Sequence, residues 1–492
     1  QQSTQRNPRA GHQTYKRRMK IQRVRLYNFR QYYGEQIIEF STDPKKNVTI
    51  IHGENGTGKS TLLKAISDLL PVWDGVIEFD GQLIQNLKPN VIAKRGTMVD
   101  FSPSEEMRAL RETVQRFVHN ELQPLEQEIE ESGRLDVAVA RQITAKSLEL
   151  GLYAMNIPHE HGGGGLNAVE NCMVEELAGW TSDILARRAF GNVYDILLAC
   201  NAEQRERWLL PTVRGERVVS IAITEPGAGS DAAAIKTRAI DDSSGWLLNG
   251  HKHFASDGEY ADYFVVSSVT NERGGDRGIS MFLVDKTLPG VTVGRNQAMM
   301  GLRGTTHVEL FFEDVKLMPD TLLGTRGEGL RLILETVGQI RLAHVGARAV
   351  GTATRLLSMM IEHARSREQF GRSIGQFQMV QSMLSDSAIE INAARMMVLN
   401  AAWEIDQGLE PREKISMVKV YAAEMACRVA DRAIQIHGGL GFSKDLPIER
   451  LYRDLRVARI YDGTSEIHRG IIARGLLDKG IDILTPPVPS RM

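Results

Sequence analysis

Two short stretches of this 492-residue chain carry residue types that can do chemistry. Near the C-terminus, Arg459-Ile-Tyr-Asp-Gly-Thr-Ser-Glu-Ile-His-Arg469 sets the carboxylate of Asp462 on a Gly-containing loop between two helical stretches. A carboxylate so placed can act as a base reaching into a cleft between helices. The same residues also read as an ordinary turn leading into a capped helix. Near the N-terminus, Gly53-Glu-Asn-Gly-Thr-Gly-Lys-Ser60 has the spacing of a phosphate-binding loop. Gly53 and Gly58 let backbone N–H groups curl around phosphate, Lys59 supplies a point charge and Ser60 can reach Mg²⁺. Thr61 then opens a helical pattern, so ATP with Mg²⁺ is the ligand this loop can take.

The elements that would hold these residues differ along the chain. Alternation in Ile21-Gln-Arg-Val-Arg-Leu-Tyr-Asn-Phe29 predicts a strand, and Val48-Thr-Ile-Ile-His52 predicts a buried one feeding the glycine loop. A new register starts at Met98, which stands where a chain of its own could begin. Ser102 or Ser104 can cap, Pro103 suits a first turn, and Glu105 and Glu106 suit the helix dipole. Helical patterns run from 104 to 215. From Val218 to Phe312 the period falls to two, with Asn249-Gly250 and Pro289-Gly290 read as turns between short strands. From Gly327 to Lys479 four long helical patterns predict an antiparallel bundle.

Composition narrows the function classes. Apolar residues make up 42% of the chain, enough for several cores at this length. The net charge of −1 argues against nucleic acid as a partner. Cys172, Cys200 and Cys427 are far apart in sequence and lack ligand-spaced histidines. That pattern fits a reducing compartment and predicts no structural metal. No apolar run nears the roughly 20 residues of a spanning helix, which predicts a soluble protein without a membrane partner. Residues 1–30 hold nine Lys or Arg and no acid, a pattern open to a transit peptide, a nucleic-acid-binding arm or a disordered leader.

Several stretches together carry a resemblance. They are Ile223-Thr-Glu-Pro-Gly-Ala-Gly-Ser-Asp231, Asn249-Gly-His-Lys-His-Phe-Ala-Ser256, Met300-Gly-Leu-Arg-Gly-Thr305 and Phe312-Glu-Asp-Val-Lys316. Arg367-Glu-Gln-Phe-Gly-Arg372, Gln435-Ile-His-Gly-Gly439 and Tyr461-Asp-Gly-Thr464 follow in order. Residues 98–482 thereby resemble an acyl-CoA dehydrogenase over the length of that family's fold. The resemblance implies an N-terminal all-α domain (98–217), a middle β-barrel or sandwich domain (218–326) and a C-terminal four-helix bundle (327–482). Residues 19–97 resemble the start of a P-loop ATPase of the chromosome-maintenance, DNA-repair or ABC transporter type, an incomplete α/β segment. Its second acidic motif finds no match, so a truncated nucleotide-binding lobe is expected. Residues 1–18 are read as a basic leader and 483–492 as a tail.

The family resemblance implies FAD, an acyl-CoA substrate and an electron acceptor such as electron transfer flavoprotein. It implies a homodimer or homotetramer in a bacterial cytoplasm or a mitochondrial matrix. Ile223, Thr224, Ser230, Phe254 and Ser256 would meet the flavin, with Ser230 also toward substrate. Phe254 stands where the family usually has Trp, and Ser256 where it has Thr near the ring's reactive nitrogen. Arg367, Gln369, Phe370, Gln435 and Gly439 would contact the diphosphate and adenine across a subunit interface, with Thr464 and Glu466 near the adenosine. Arg341 would face the active site. Asp462 would abstract the α-proton of the thioester while the β-hydrogen leaves as hydride. Most of the family carries Glu in this loop, and some members place it at the position of Ile340. Asp462 is the only carboxylate in either place, one methylene shorter than usual. The alternatives are a P-loop ATPase and a catalytically silent flavoprotein.

Overall fold

The computed structural model describes residues 103–270 and 278–484, with four short strands nearer the N-terminus. The glycine-loop residues Gly53, Gly58, Lys59, Ser60 and Thr61 lie outside the described residues, as do the leader and all of the tail beyond Leu484. Of the N-terminal strands, β1 (Arg23–Phe29) pairs antiparallel with β2 (Tyr32–Glu39). Likewise β3 (Glu78–Phe79) pairs with β4 (Gln82–Leu83). The chain divides into two compact units, residues 1–100 with 487–492 and residues 101–486.

The second unit opens with helices. The hydroxyl of Ser104 accepts from the N–H of Met107 and starts α1 (Glu105–Phe117), with two acids in its first turn. Then come α2 (Glu126–Ser132), α3 (Val137–Glu149), α4 (Ala168–Ala178) and α5 (Asp183–Phe190). Asn167 and Glu170 close a capping box on α4. Phe117, Leu122, Ile143, Ile184, Leu185 and Phe190 form the core of this layer.

Alternating and wholly apolar stretches then build an eight-stranded sheet: β5 (Val219–Ala222), β6 (Arg238–Asp242), β7 (Gly245–Ser256), β8 (Tyr263–Val269), β9 (Ile279–Asp285), β10 (Val291–Asn296), β11 (His307–Leu317) and β12 (Leu322–Leu323). The spatial order is β10-β11-β7-β6-β8-β9-β12, with β5 parallel to β8. Strands β8 and β9 are buried along nearly their whole length, as expected of strands packed on both faces. Pro289-Gly290 forms the expected turn between β9 and β10. Asn249-Gly250 does not: it lies inside β7. The hairpin turns instead at Ser243-Ser244, and Asn249 spends its amide on Asp314 of β11 through bonds of 3.0 and 2.8 Å. A cross-strand partner thus replaced the local turn preference.

Four long helices finish the unit. The first runs as α6 (Gly329–Ile340), a π-helical segment (Arg341–Ala347) and α7 (Arg348–Ser366). A small hairpin of β13 (Glu368–Gln369) and β14 (Arg372–Ser373) follows. The remaining helices are α8 (Gln378–Asp406), α9 (Arg412–His437), the shorter α10 (Ile448–Arg456) and α11 (Ser465–Lys479). Leu342, Leu356, Met360, Val398, Val418, Met425 and Val429 fill the bundle. Buried Glu126 of α2 accepts two bonds of 2.9 Å from Arg355 of α7 and one of 2.7 Å from Arg450 of α10. Burial pushes the Glu126 carboxyl up, and the two guanidiniums outweigh it, so it stays below the usual range. This locks the helical layer to the bundle.

Because unit 101–486 holds these cores within itself, removing residues 1–97 is expected to leave its folding intact. Equal melting temperatures and equal flavin content for the full and shortened chains are the expected result. A shortened chain that aggregates would show that the boundary is misplaced.

Candidate active site

Asp462 and Gly463 both have positive φ, 54° and 92°. Two left-handed residues in a row turn the chain sharply between α10 and α11. Thr464 then caps α11, its hydroxyl accepting from the N–H of Ile467 at 3.3 Å. The turn reading of this stretch is therefore right as local structure. Three helices nevertheless hold the turn far more firmly than a surface turn needs.

The Asp462 carbonyl accepts from Arg341 Nε at 2.7 Å and bonds to His468 Nε2 at 3.1 Å. The Gly463 carbonyl accepts from Nζ of Lys419, a fully buried side chain on α9. His468 is buried too, and burial together with nearby Arg341 pushes its imidazole down to about 4. It is therefore neutral, with its hydrogen on Nε2, and Nδ1 takes up Ser416 Oγ at 3.1 Å.

Local sequence explains how these donors arrive. Arg341 is the first residue of the π-helical segment that follows α6. Gly346 in the same segment would, with a Cβ, stand 2.6 Å from Val418 Cγ1. The missing side chain lets α9 come close, and Lys419 is the next residue along it.

The Asp462 side chain differs from its own carbonyl. Among the described residues no donor reaches its carboxylate oxygens, and no acceptor takes its N–H. It is half-buried, keeping an accessible edge among closely surrounding protein atoms. Burial raises its pKa, and the attraction of Arg341, Lys419 and Arg187 only partly opposes this. Burial also raises the neighbouring Tyr461 hydroxyl.

Below the loop lies a buried ionic floor. Asp183 of α5 accepts from Arg187 Nε at 2.6 Å and from Thr305 Oγ1 at 2.8 Å, and Arg348 Nη1 stands 3.5 Å away. Arg348 also donates to Glu175 at 2.5 Å. Burial and Arg348 push His344 beside them down to about 4, so it carries no charge there.

On the sheet side, Glu225 accepts from the N–H groups of Lys236 (2.7 Å) and Thr237 (2.9 Å) and from Lys252 Nζ (2.8 Å). Burial pushes Lys252 down to about 8 against the pull of Glu225. Lys252 Nζ also donates to the Ile223 carbonyl at 3.0 Å, and the N–H of His253 donates to the Thr224 carbonyl at 2.8 Å. This fixes the strand end that carries Ile223 and Thr224. Phe254 has φ 58° and is 46% exposed, stacked on His253 at 3.9 Å between ring centroids. A non-glycine residue strained so as to present an aromatic face suits a flat ring stacked upon it. Ser256, two residues on, offers a hydroxyl, and Ser230 lies exposed on the loop after Glu225. These groups fit an isoalloxazine: an aromatic wall, a small hydroxyl and braced backbone.

The remaining expected residues stand apart from this cluster. Arg367 ends α7, and Gln369 and Phe370 form the tip of the β13–β14 hairpin, with Phe370 93% exposed. Gln435 lies in the last turn of α9, just before Gly438 at φ 60° and Gly439. Glu466 is exposed in the first turn of α11. Sequence reasoning did not single out Lys419, His468, Ser416 or the ionic floor. The available signal was charge inside an apolar helix pattern, as in Ser416-Met-Val-Lys-Val420.

Models of the N-terminal, middle and C-terminal domains of acyl-CoA dehydrogenase match residues 104–216, 220–315 and 327–477. A curated 3-(aryl)acrylate reductase of Clostridium sporogenes is 34% identical over 76% of this chain and 99% of its own length. The chain belongs to the acyl-CoA dehydrogenase family. It is thus an FAD-dependent oxidoreductase, as the resemblance implied. The caffeyl-CoA reductase-Etf complex subunit CarC of Acetobacterium woodii is 35% identical over 76% of this chain and 99% of its own. Among solved structures, the acyl-CoA dehydrogenase of Geobacillus kaustophilus superposes with a TM-score of 0.71 at 32% identity, covering 76% of this chain and 98% of that one. An AAA domain model matches residues 23–70, in line with the P-loop-like segment. Among the described residues no helix is long and apolar enough to cross a membrane, and no cluster of His, Cys, Asp or Glu could hold a metal.

The φ of 92° at Gly463 gives a first test. A Cβ there would also meet His468 Nε2 at 2.9 Å. Gly463→Ala is expected to lower turnover roughly tenfold, since left-handed strain of about 1–3 kcal/mol displaces the loop. Flavin content should stay normal. Unchanged turnover would mean that the loop is not held as described.

Proposed function

We propose that this protein catalyses α,β-dehydrogenation of an acyl-CoA thioester, with Asp462 as the base. The observation that carries this reading is the Asp462 carboxylate itself. It is desolvated, without a hydrogen bond from the described residues, and aimed by a loop whose carbonyls are tied to Arg341, His468 and Lys419. An α-proton beside a thioester is a very weak acid, so its removal needs a base raised above ordinary aspartate and donors for the developing enolate oxygen. The free N–H of Asp462 is one such donor. Arg341 holds the loop in register and keeps the raised carboxyl ionisable.

Ile223, Thr224, Ser230, Phe254 and Ser256 would hold the flavin ring, with Phe254 excluding water from one face. Bound FAD would supply the acceptor for the β-hydrogen, taken as hydride. Arg367, Gln369, Phe370, Gln435 and Gly439 would serve the diphosphate and adenine of a second subunit's cofactor, with Thr464 and Glu466 near the adenosine. The bare Phe370 ring on its hairpin supports a dimeric or tetrameric assembly. Electron transfer flavoprotein is the proposed partner, supported by the Etf complex named for the Acetobacterium relative.

A second reading concerns direction. Two relatives are named as reductases, of an arylacrylate and of caffeyl-CoA. A raised Asp462 holds a proton more readily than ordinary aspartate, which suits protonation at the α-carbon in the reverse reaction. The shorter Asp also suits an acyl group held nearer the loop than a straight chain, such as a branched or cyclic one.

Anaerobic mixing with a panel of saturated and 2,3-unsaturated acyl-CoA thioesters tests both readings. Bleaching of the oxidised flavin by a saturated thioester is expected. Re-oxidation of the reduced protein by its unsaturated partner would reveal the reductive direction. If no thioester moves the flavin either way, the assignment fails.

A further inference from the structure

Ser256 is the last residue of β7 and lies opposite His307, the first residue of β11, in the antiparallel register. Ser256 Oγ and His307 Nδ1 are 3.1 Å apart. The imidazole is only 6% exposed, and its other nitrogen, Nε2, is buried without a hydrogen-bond partner. The backbone on both sides is pinned. His307 N–H donates to Asn296 Oδ1 at 2.8 Å, its carbonyl accepts from the N–H of Gln297 at 2.9 Å, and Ser220 Oγ donates to the Ser256 carbonyl at 2.6 Å. The ring therefore has one polar partner among the described residues, a serine hydroxyl. The charged groups facing it are Arg187, Asp183 and Asp257. Burial and Arg187 keep the imidazole below its ordinary range, hence neutral.

A neutral imidazole carries its hydrogen on one nitrogen only. With Nε2 unpartnered, the less costly choice is Nδ1–H, because a buried bare acceptor is better tolerated than a buried unpaired N–H. Nδ1–H then donates to Ser256 Oγ, and the serine's own hydrogen is left to point away from the histidine.

We propose that His307 is a positioning residue for Ser256, fixing its hydroxyl as a hydrogen-bond donor toward the redox-active nitrogen of the flavin ring. This rests on the reading above that places Ser256 at the flavin. An oxidised ring offers an acceptor nitrogen there, whereas a reduced ring offers an N–H. The pair therefore favours the oxidised cofactor and helps set its potential.

The test measures the midpoint potential of the bound flavin by dye equilibration in the holoenzyme. Ser256→Ala and His307→Leu are each expected to raise the reduced-to-oxidised ratio about tenfold at fixed potential, some 30 mV for a two-electron couple. The double variant should shift no further than either single one, because the two act as one unit. His307→Asn, whose amide nitrogen can take the place of Nδ1–H, should return the potential to within about twofold of the parent ratio. A shift with Ser256→Ala but none with His307→Leu overturns the positioning role and leaves the flavin site standing. No shift with Ser256→Ala overturns both. Additive shifts, or shifts of opposite sign, overturn the proposal as well. If His307→Leu does not retain flavin, His307→Gln decides by the same comparison, since it keeps a polar amide but moves it off the Nδ1 position.

Discussion

Asp462→Asn is expected to abolish flavin reduction by acyl-CoA while making the protein harder to unfold. General-base catalysis contributes about 10²–10⁴-fold, so the reductive half-reaction should slow by at least a hundredfold. The amide keeps the size and the backbone φ of 54°, and Asn tolerates the left-handed region as well as Asp does. Loop geometry and flavin content should therefore be retained. The stability gain follows from linkage. Asp462 has a raised pKa in the folded protein, so the folded state binds its proton more tightly than the unfolded state. Below the unfolded value, about 3.9, both states are protonated and nothing is lost. As pH rises from the unfolded value through the raised folded value, the cost of a buried carboxylate accumulates, and it is complete above the folded value. Arg341 and Lys419 already count in that balance, since the net direction is upward despite them. Each tenfold weakening of the acid corresponds to about 1.4 kcal/mol, enough to lift Tm by roughly a degree or more. The same raised pKa predicts that kcat/KM of the parent falls on acidification at a higher pH than an ordinary aspartate would give. A variant that keeps its activity, or a Tm that drops, would remove Asp462 from the role of base.

Much of this site was legible before the structure because its motifs depend on local geometry. Glu225-Pro-Gly-Ala228 closes a tight loop with bonds of 3.0 and 3.1 Å between Glu225 and Ala228, and such a loop needs those residue types in that order. The short apolar runs of β8 and β9 and the long bundle helices were legible for the same reason. Asn249-Gly250 misled because Asp314, 65 residues away, captures the amide that a turn would have used. The tethers of Asp462 were hidden for a related reason. Lys419, His468 and Arg341 lie on three different helices, and their convergence depends on packing such as the Gly346–Val418 approach. His307 read only as a strand residue, because its partner Ser256 is set by the register of β7 against β11. The nucleotide-loop segment illustrates the opposite situation. Its motif is clear in sequence, while nothing described in the structure bears on its chemistry.

Lys419→Met should separate the tether of the loop from the stability of the bundle. Methionine matches the lysine stem in length and removes the ammonium, so the packing of α9 changes little. Two opposing effects on stability follow. Burial pushes Lys419 down to about 8, so below that pH the folded protein bears the cost of a buried cation, and Met relieves it. Against this, the Gly463 carbonyl loses its donor, at a cost of about 1–3 kcal/mol. The net change in urea unfolding should therefore be small. Activity should respond far more strongly. Lys419 attracts the Asp462 carboxylate as well as holding its neighbour's carbonyl, so its loss raises the Asp462 pKa further and loosens the turn. A fall in kcat of about ten- to a hundredfold is expected, since catalysis is sensitive to small misplacement of the base. KM for the thioester should move little, and the acid limb of kcat/KM should shift to higher pH. Titration of the parent above pH 8 should begin to reproduce the variant's loss, because the same cation is then discharged. If the acid limb stays in place while stability collapses, Lys419 is a packing residue, and the attraction on Asp462 comes from Arg341 and Arg187.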